Sequence, residues 1–412
     1  MKLKIAVMVI AVTLIFSCLA CAENERDTFS ADNENICYTG RWSKDKNGAM
    51  CGSFEGEITV RFTGTSLQAE KSSGSVYVSV DGGEPKEANL SSKHIVKDLD
   101  DGEHTVKIYT SAQKCFPKIS GFSVDKGKSL IKAEKNFTVE FIGDSILEGY
   151  IPGNNSILNT YGYLTAKHFG WDRNTVAFGG ITLTAGYGSP DTKGMINRYF
   201  LKNEYNQDEL DVEKWDTKLF TPDCVIINLG TNDYAPTDGE FTLAYVSFLN
   251  QLRASYPNAP IFVMKPFTKT KSQAIDSVFE ISKTENVYMI DSADWNIELS
   301  DDNLHPNNTG HEHAAELLIK TLETYFDNDG NFIFSSASIE NGTADETENT
   351  SDVSNDSSSD DSGLISMMSA DSNGEAFLSA AKSSFLFPVL LGIILICALG
   401  IVIVVVFKKK KK

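Results

Sequence analysis

The sequence predicts an α/β domain built on a parallel sheet, preceded by an all-β sandwich of the jelly-roll kind and followed by a single C-terminal membrane span. Three observations carry this. Short alternating runs with turn signals fill the first part of the chain, apolar strands alternate with amphipathic helices in the middle, and an uncharged run of 23 residues stands near the end. The length of 412 residues allows two or three domains with sizeable cores.

From about Cys37 to Lys135 the texture is β. Ile58, Val60 and Phe62 alternate with polar residues, and Val76, Val78 and Val80 do the same before the hairpin signal Asp81-Gly82-Gly83. Val106, Ile108 and Tyr109 follow a further turn at Asp101-Gly102. No segment of helical period interrupts the stretch, and no nucleophile, base and acid cluster in it, so residues 23–135 read as a binding or supporting sandwich.

The pattern changes near Asn136. Apolar strands are expected at residues 137–142, 225–229 and 261–264. Phe241, Tyr245, Phe248, Leu249 and Leu252 mark one amphipathic helix, and Ala315, Leu318, Leu322 and Tyr325 another. Strands alternating with helices over residues 136–330 imply a parallel sheet, whose ligands bind beyond the carboxyl ends of the strands.

The flanks are of a different kind. Residues 1–22 read as a secretory signal, with Lys2 and Lys4, an apolar core and Ala20-Cys21-Ala22 as the cleavage site. Cys18 and Cys21 offer lipidation as another anchor, although neither follows a good Leu-small-small triplet. Residues 331–384 are rich in Ser, Asp, Asn and Thr and read as an acidic disordered stalk. Residues 385–407 are long enough to span a bilayer, and the lysines at 408–412 belong on the cytoplasmic side. Without those five lysines and the two in the signal, 30 basic residues stand against 56 acidic ones, a charge of −26 on the exported part. That balance excludes nucleic acid as a partner, since phosphate binding requires clustered Lys and Arg.

The chemistry concentrates at four places. Gly143-Asp144-Ser145-Ile146 follows the first α/β strand, where a serine on a tight turn lies near outward backbone N–H groups. Gly230-Thr231-Asn232-Asp233 follows the strand at 225–229; its amide is a neutral donor suited to an oxyanion, while Asp233 fits a cap for the next segment. Asp302-Asn303-Leu304-His305-Pro306 precedes the last helix. The three-residue offset lets the carboxylate reach the imidazole Nδ1–H and leaves Nε2 free to deprotonate a serine, and Pro306 keeps His305 on the loop. Gly179-Gly180 can bring another backbone N–H close to the substrate.

These blocks, in their order along the chain from Gly143 to His305, resemble the SGNH (GDSL-type) hydrolase superfamily, whose α/β fold is flavodoxin-like. With Gly40-Arg41-Trp42, Phe62-Thr63-Gly64-Thr65, Asp101-Gly102-Glu103-His104 and Gly121-Phe122 upstream, the chain is most similar to carbohydrate esterase family 2 over roughly residues 37–326. The resemblance implies an acetyl xylan esterase-like enzyme with Ser145 as nucleophile, His305 as base and Asp302 orienting His305. It implies an oxyanion hole of Ser145 N–H, Gly180 N–H and the Asn232 side chain. A backbone carbonyl can replace Asp302 in such esterases, and the departure of Phe178-Gly179-Gly180 from the usual second block leaves Gly179 or Gly180 open. The expected substrate is an acetylated polysaccharide or oligosaccharide such as xylan or mannan, with no metal and no organic cofactor.

Other readings stand beside these. Lipids, lysophospholipids or acetylated cell-wall glycans are alternative substrates, and a non-catalytic polysaccharide-binding surface protein is the alternative from another class. Trp42 and Tyr234 can line a sugar cleft or pack in a core. His311 and His313, two apart on a helix, point to different faces and do not form a metal pair. Cys37, Cys51 and Cys115 have several possible disulfide pairings, with Cys37 to Cys51 the short one, and Cys224 reads as a buried thiol.

Overall fold

The computed structural model describes residues 25–333, apart from 93, 112–116, 154, 189–192, 203–212, 328–329 and 331. The expected signal, span and Lys tail, Cys115, and the expected stalk apart from Phe332 and Ile333 lie outside the described residues; Phe332 bridges Phe326 and Ile333 N–H bonds the Tyr325 carbonyl, so these two belong to the folded part. Among the described residues no helix is long and apolar enough to cross a membrane.

The first domain is β-rich and antiparallel throughout. Its largest sheet has six strands, centred on Glu57–Gly64 paired with Gly102–Tyr109 and, beyond it, Ser75–Val80. Two three-stranded sheets complete it, one of them Arg26–Ser30, Gly121–Asp125 and Leu67–Ala69. The domain therefore begins its sheets ahead of Cys37, with Arg26–Ser30 held by the Arg26 guanidinium on Ser66, Ser123 and Asp125. Alternation sends Ile58, Val60, Phe62, Val106 and Ile108 into one core with Leu67, Phe122 and Val124 from the smaller sheet. At the hairpin tip Asp81 and Gly82 have φ of 51° and 75°, the left-handed pair a tight two-residue turn requires.

The second domain holds a five-stranded, all-parallel sheet. Its strands are β1 (Thr138–Gly143), β2 (Asp172–Ala177), β3 (Cys224–Asn228), β4 (Ile261–Met264) and β5 (Val287–Ile290), in the order β2-β1-β3-β4-β5. The helices are α1 (Tyr161–Phe169), α2 (Met195–Arg198), α3 (Asp238–Ser255), α4 (Ser272–Ile281) and α5 (Asn308–Leu322). Two apolar cores lie on the two faces of the sheet. One joins Ile142, Ile227 and Val263 to α3 and α4, and the other joins Phe141, Ile226 and Phe262 to α1 and α5. Thr237 and Glu240 form a reciprocal capping box at the start of α3, so Asp233 is not that helix's cap.

Buried ion pairs join the domains. Arg41 of the β-rich domain reaches Glu140 in β1 at 3.2 Å, donates to the Tyr199 carbonyl and lies over the Tyr199 ring. Glu55 takes Arg173 of β2 at 3.0 Å together with the Thr175 hydroxyl, and Lys107 reaches Asp172 at 2.6 Å. Strand β2 is thus covered on one side by the partner domain, which explains why its polar residues are all buried.

Candidate active site

Every block from the sequence lands at one edge of the sheet. β1 ends at Gly143 and leads into Ser145, β2 ends at Ala177 and leads into Gly179-Gly180, and β3 ends at Asn228 just before Asn232. Parallel strands put these three turns side by side at their carboxyl ends, and His305 arrives from the loop ahead of α5.

The turn after β1 is built for its serine. A Cβ on Gly143 would lie 2.4 Å from Leu147 Cδ1 and 3.1 Å from the Asn228 carbonyl, so a larger residue there would have to displace the buried Leu147 side chain. The Asp144 carboxylate then accepts the Ile146 N–H at 3.0 Å, and Glu148 N–H and Tyr150 N–H close back on the Asp144 and Ser145 carbonyls. Asp144 is itself buried. Burial pushes its carboxyl up to about 6, against the Ile146 N–H that favours the charge.

Ser145 Oγ lies 2.8 Å from His305 Nε2, and His305 Nδ1 lies 2.6 Å from Asp302 Oδ2. Asp302, rather than a backbone carbonyl, is therefore the group that meets the imidazole Nδ1. The other oxygen, Oδ1, accepts the Leu304 N–H at 2.9 Å, the His305 N–H at 3.0 Å and the Ser300 hydroxyl at 3.0 Å. Partial burial opposes ionisation of Asp302, but these donors outweigh it and hold the carboxyl well below the usual carboxylate range. An ionised Asp302 keeps the proton on Nδ1, so Nε2 presents its lone pair to the serine.

Asn232 donates one amide hydrogen to the Ile181 carbonyl at 2.9 Å, which orients the side chain and leaves a second hydrogen for a ligand. The two glycines of the second block differ. A Cβ on Gly179 would sit 3.8 Å from Ser145 Cβ and 3.1 Å from Glu148 Oε2, so Gly179 backs onto the serine turn. Gly180 occupies the left-handed turn, φ 75°, closed by Ile181 N–H on the Phe178 carbonyl.

The aromatic candidates separate. Trp42 is buried in the core of the β-rich domain, tilted against Tyr38 and donating to the Thr39 carbonyl, so it lines no cleft. Its Nε1–H finds a partner inside the sandwich, which lets the ring pack as core. Tyr234 is 68 % exposed on the loop after β3, beside a groove of about 410 Å³ that also touches Lys269 and Gln273. Tyr150 was not singled out by sequence, yet its ring packs edge-on against His305 at 4.7 Å. Its place five residues after Ser145 was the only signal.

His311 is buried against the Tyr161 ring while His313 is exposed, and among the described residues no three His, Cys, Asp or Glu side chains form a metal-binding group. Cys37 and Cys51 are not bonded to each other, and Cys224 is buried in β3.

Residues 141–313 match the model of the GDSL-like Lipase/Acylhydrolase family, and residues 38–133 that of the Carbohydrate esterase 2 N-terminal domain. The chain thus carries a GDSL-like lipase/acylhydrolase domain behind a carbohydrate esterase 2 N-terminal domain. It is 28 % identical over 264 residues to the Cellulase/esterase CelE of Acetivibrio thermocellus, covering 58 % of this chain and 32 % of that one. It is 27 % identical over 265 residues to an Acetylxylan esterase / glucomannan deacetylase of Cellvibrio japonicus, covering 55 % of this chain and 71 % of the relative. The chain thus spans about a third of the length of CelE. Among solved structures, a family two carbohydrate esterase from Clostridium thermocellum in complex with cellohexaose is similar at a TM-score of 0.58 and 26 % identity, over 70 % of this chain and 98 % of that one. The acetyl xylan esterase Est2A of Butyrivibrio proteoclasticus shares the fold at a TM-score of 0.59 and 20 % identity, over 73 % of this chain and 98 % of that one.

Proposed function

We propose that this chain is a serine esterase of the carbohydrate esterase 2 type that removes acetyl groups from O-acetylated carbohydrate, through an acetyl-enzyme on Ser145. The hydrogen-bonded line Ser145–His305–Asp302, at 2.8 and 2.6 Å, carries the proposal. His305 Nε2 takes the proton as Ser145 Oγ attacks the ester carbonyl. The oxyanion rests on the Ser145 and Gly180 N–H groups and the Asn232 amide, each donor worth about 3 kcal/mol. His305 then protonates the departing sugar oxygen. Water, activated by the same imidazole, hydrolyses the acetyl-enzyme and restores Ser145. Nucleophile, base and donors all come from the chain, so the cycle as written uses no metal or organic cofactor.

The substrate reading, xylan, mannan or their oligosaccharides, is supported by the relatives' names, acetylxylan esterase and glucomannan deacetylase, and by the cellohexaose complex of a similar structure. Exposed Tyr234, two residues after Asn232, supplies an aromatic face for a sugar ring. The proposal includes a jelly-roll connection for the β-rich domain. It also includes export through residues 1–22 and a single-pass anchor at residues 385–407, with the catalytic part outside the cell and the Lys tail in the cytoplasm. Acetate release from acetylated xylan, glucomannan and peptidoglycan by the chain and by Ser145→Ala tests the function. Release from the first two that disappears in the variant is expected. Release from peptidoglycan alone moves the substrate to the cell wall, and no release by either protein favours a binding role.

A further inference from the structure

The loop after β3 carries an acid that the mechanism leaves unused. Asp233 is fully buried, although it directly follows Asn232 at the edge of the site. Its carboxylate accepts two backbone donors from the loop after β2: Leu183 N–H at 2.9 Å and Thr184 N–H at 3.1 Å. Asn232 meanwhile donates to the Ile181 carbonyl at 2.9 Å. One dipeptide therefore grips residues 181–184 at three points.

That segment has little freedom left. It begins directly after Gly180, and the turn behind it is closed by Ile181 N–H on the Phe178 carbonyl at 3.1 Å. On its other side Met195 and Ile196 donate to the Thr182 and Leu183 carbonyls at 2.8 and 3.2 Å. The segment thus links Gly180 to the same loop that presents the Asn232 amide. An oxyanion hole stabilises charge only if its donors are already placed when the charge develops, and a misplacement of about 1 Å can cost on the order of a hundredfold in rate.

The chemistry of the grip favours a carboxylate. Two N–H donors converge on it, and a carboxylate offers an acceptor oxygen to each. An amide of the same shape offers one acceptor and must turn its NH₂ toward the other N–H. Burial raises the Asp233 carboxyl, and the two backbone bonds work against that rise. We propose that Asp233 is a positioning residue of the oxyanion hole, fixing the spacing between the Gly180 N–H and the Asn232 amide through residues 181–184. The proposal takes its reaction from the esterase reading above.

The test is Asp233→Asn, assayed on a soluble aryl acetate, with active sites counted by a serine-directed phosphonate so that any misfolded fraction drops out. The expected result is a kcat lower by roughly 10- to 100-fold per titrated site, with KM within about twofold. Affinity for benzeneboronic acid, which forms a tetrahedral adduct on the serine, should fall by a similar factor. Asp233→Glu keeps both acceptors and the charge, and serves if the Asn variant yields no titratable sites; its kcat should fall while KM holds. A kcat within threefold of the unmodified protein in either folded variant, or a loss confined to KM, overturns the proposal and leaves Asp233 a structural tie. If the unmodified protein does not hydrolyse the acetate, the esterase reading fails instead. The boronic acid affinities then decide the positioning role on their own, and equal affinity in the unmodified protein and the variant rejects it.

Discussion

Replacing Asp302 with asparagine separates two jobs that one carboxylate performs. Oδ1 accepts Leu304 N–H, His305 N–H and the Ser300 hydroxyl, whereas Oδ2 accepts the imidazole Nδ1–H at 2.6 Å. An asparagine with its oxygen in the Oδ1 place keeps the three loop bonds. Its NH₂ then faces Nδ1, so the imidazole must give up that proton and carry one on Nε2 instead. Nε2–H would donate to Ser145 Oγ, and the general base is gone. Loss of the correct tautomer is worth about 10⁴ in kcat in serine hydrolases of this design, or about 5.5 kcal/mol of barrier. Asp302→Ala should lose comparable activity but also forfeits the three loop bonds, about 1 kcal/mol each, or about 3 kcal/mol of stability. Aryl acetate hydrolysis and urea unfolding of both variants make the comparison. The expected pattern is two nearly inactive proteins, with the Asn variant the more stable. An Asn variant within tenfold of the unmodified kcat would refute the claim that Asp302 sets the tautomer.

Three further outcomes follow from the same geometry. Asn232→Ala should lower kcat on the aryl acetate by about 10²- to 10³-fold with KM within about twofold, because the amide acts on the oxyanion and not on bound ester; a change in KM alone would contradict this. His311 is pushed down to about 4 by burial, helped by nearby His305, so the unfolded chain takes up a proton that the folded chain refuses below about pH 6.5. Stability should therefore drain away as pH falls from 6.5 to 4, by up to about 3 kcal/mol, and His311→Gln should show a flatter curve in urea unfolding; an unchanged slope would contradict the assignment. Arg41→Met should cost about 3–5 kcal/mol by leaving Glu140 buried without its guanidinium, and Glu140→Gln in the same chain should recover part of it; a loss under about 1 kcal/mol in calorimetry would show that the domains do not depend on this pair.

How far the sequence could be read depended on where each residue's partner lies. β1, β3 and β4 are buried in the sheet between apolar cores, so their apolar runs announced them, and the reactive turns could be placed at their ends. Asp302 and His305 were legible as a pair because the partner is three residues away. β2 was not, because Asp172, Arg173, Asn174 and Thr175 look like a polar loop until Lys107, Glu55 and Ser53 of the other domain are set against them. Glu140 was the visible trace of that interface, a lone charge inside an apolar strand, and its partner lies 99 residues earlier. Trp42 carried no signal to tell a sugar platform from a core ring, since only the Thr39 carbonyl beside its Nε1–H distinguishes them. Asp233 read as a cap for the same reason: its donors are backbone N–H groups about 50 residues upstream, which no side-chain pattern records.

The central claim is that an acyl group passes through Ser145. Rapid acid quenching during turnover of an aryl acetate, followed by peptide mass spectrometry, reads it directly. The account predicts one acetyl group on the peptide containing Ser145, most abundant in Asp302→Asn if deacylation slows more than acylation, and absent from Ser145→Ala. Acetate released at an unchanged rate by Ser145→Ala, or an acetyl group trapped on another residue, would contradict it.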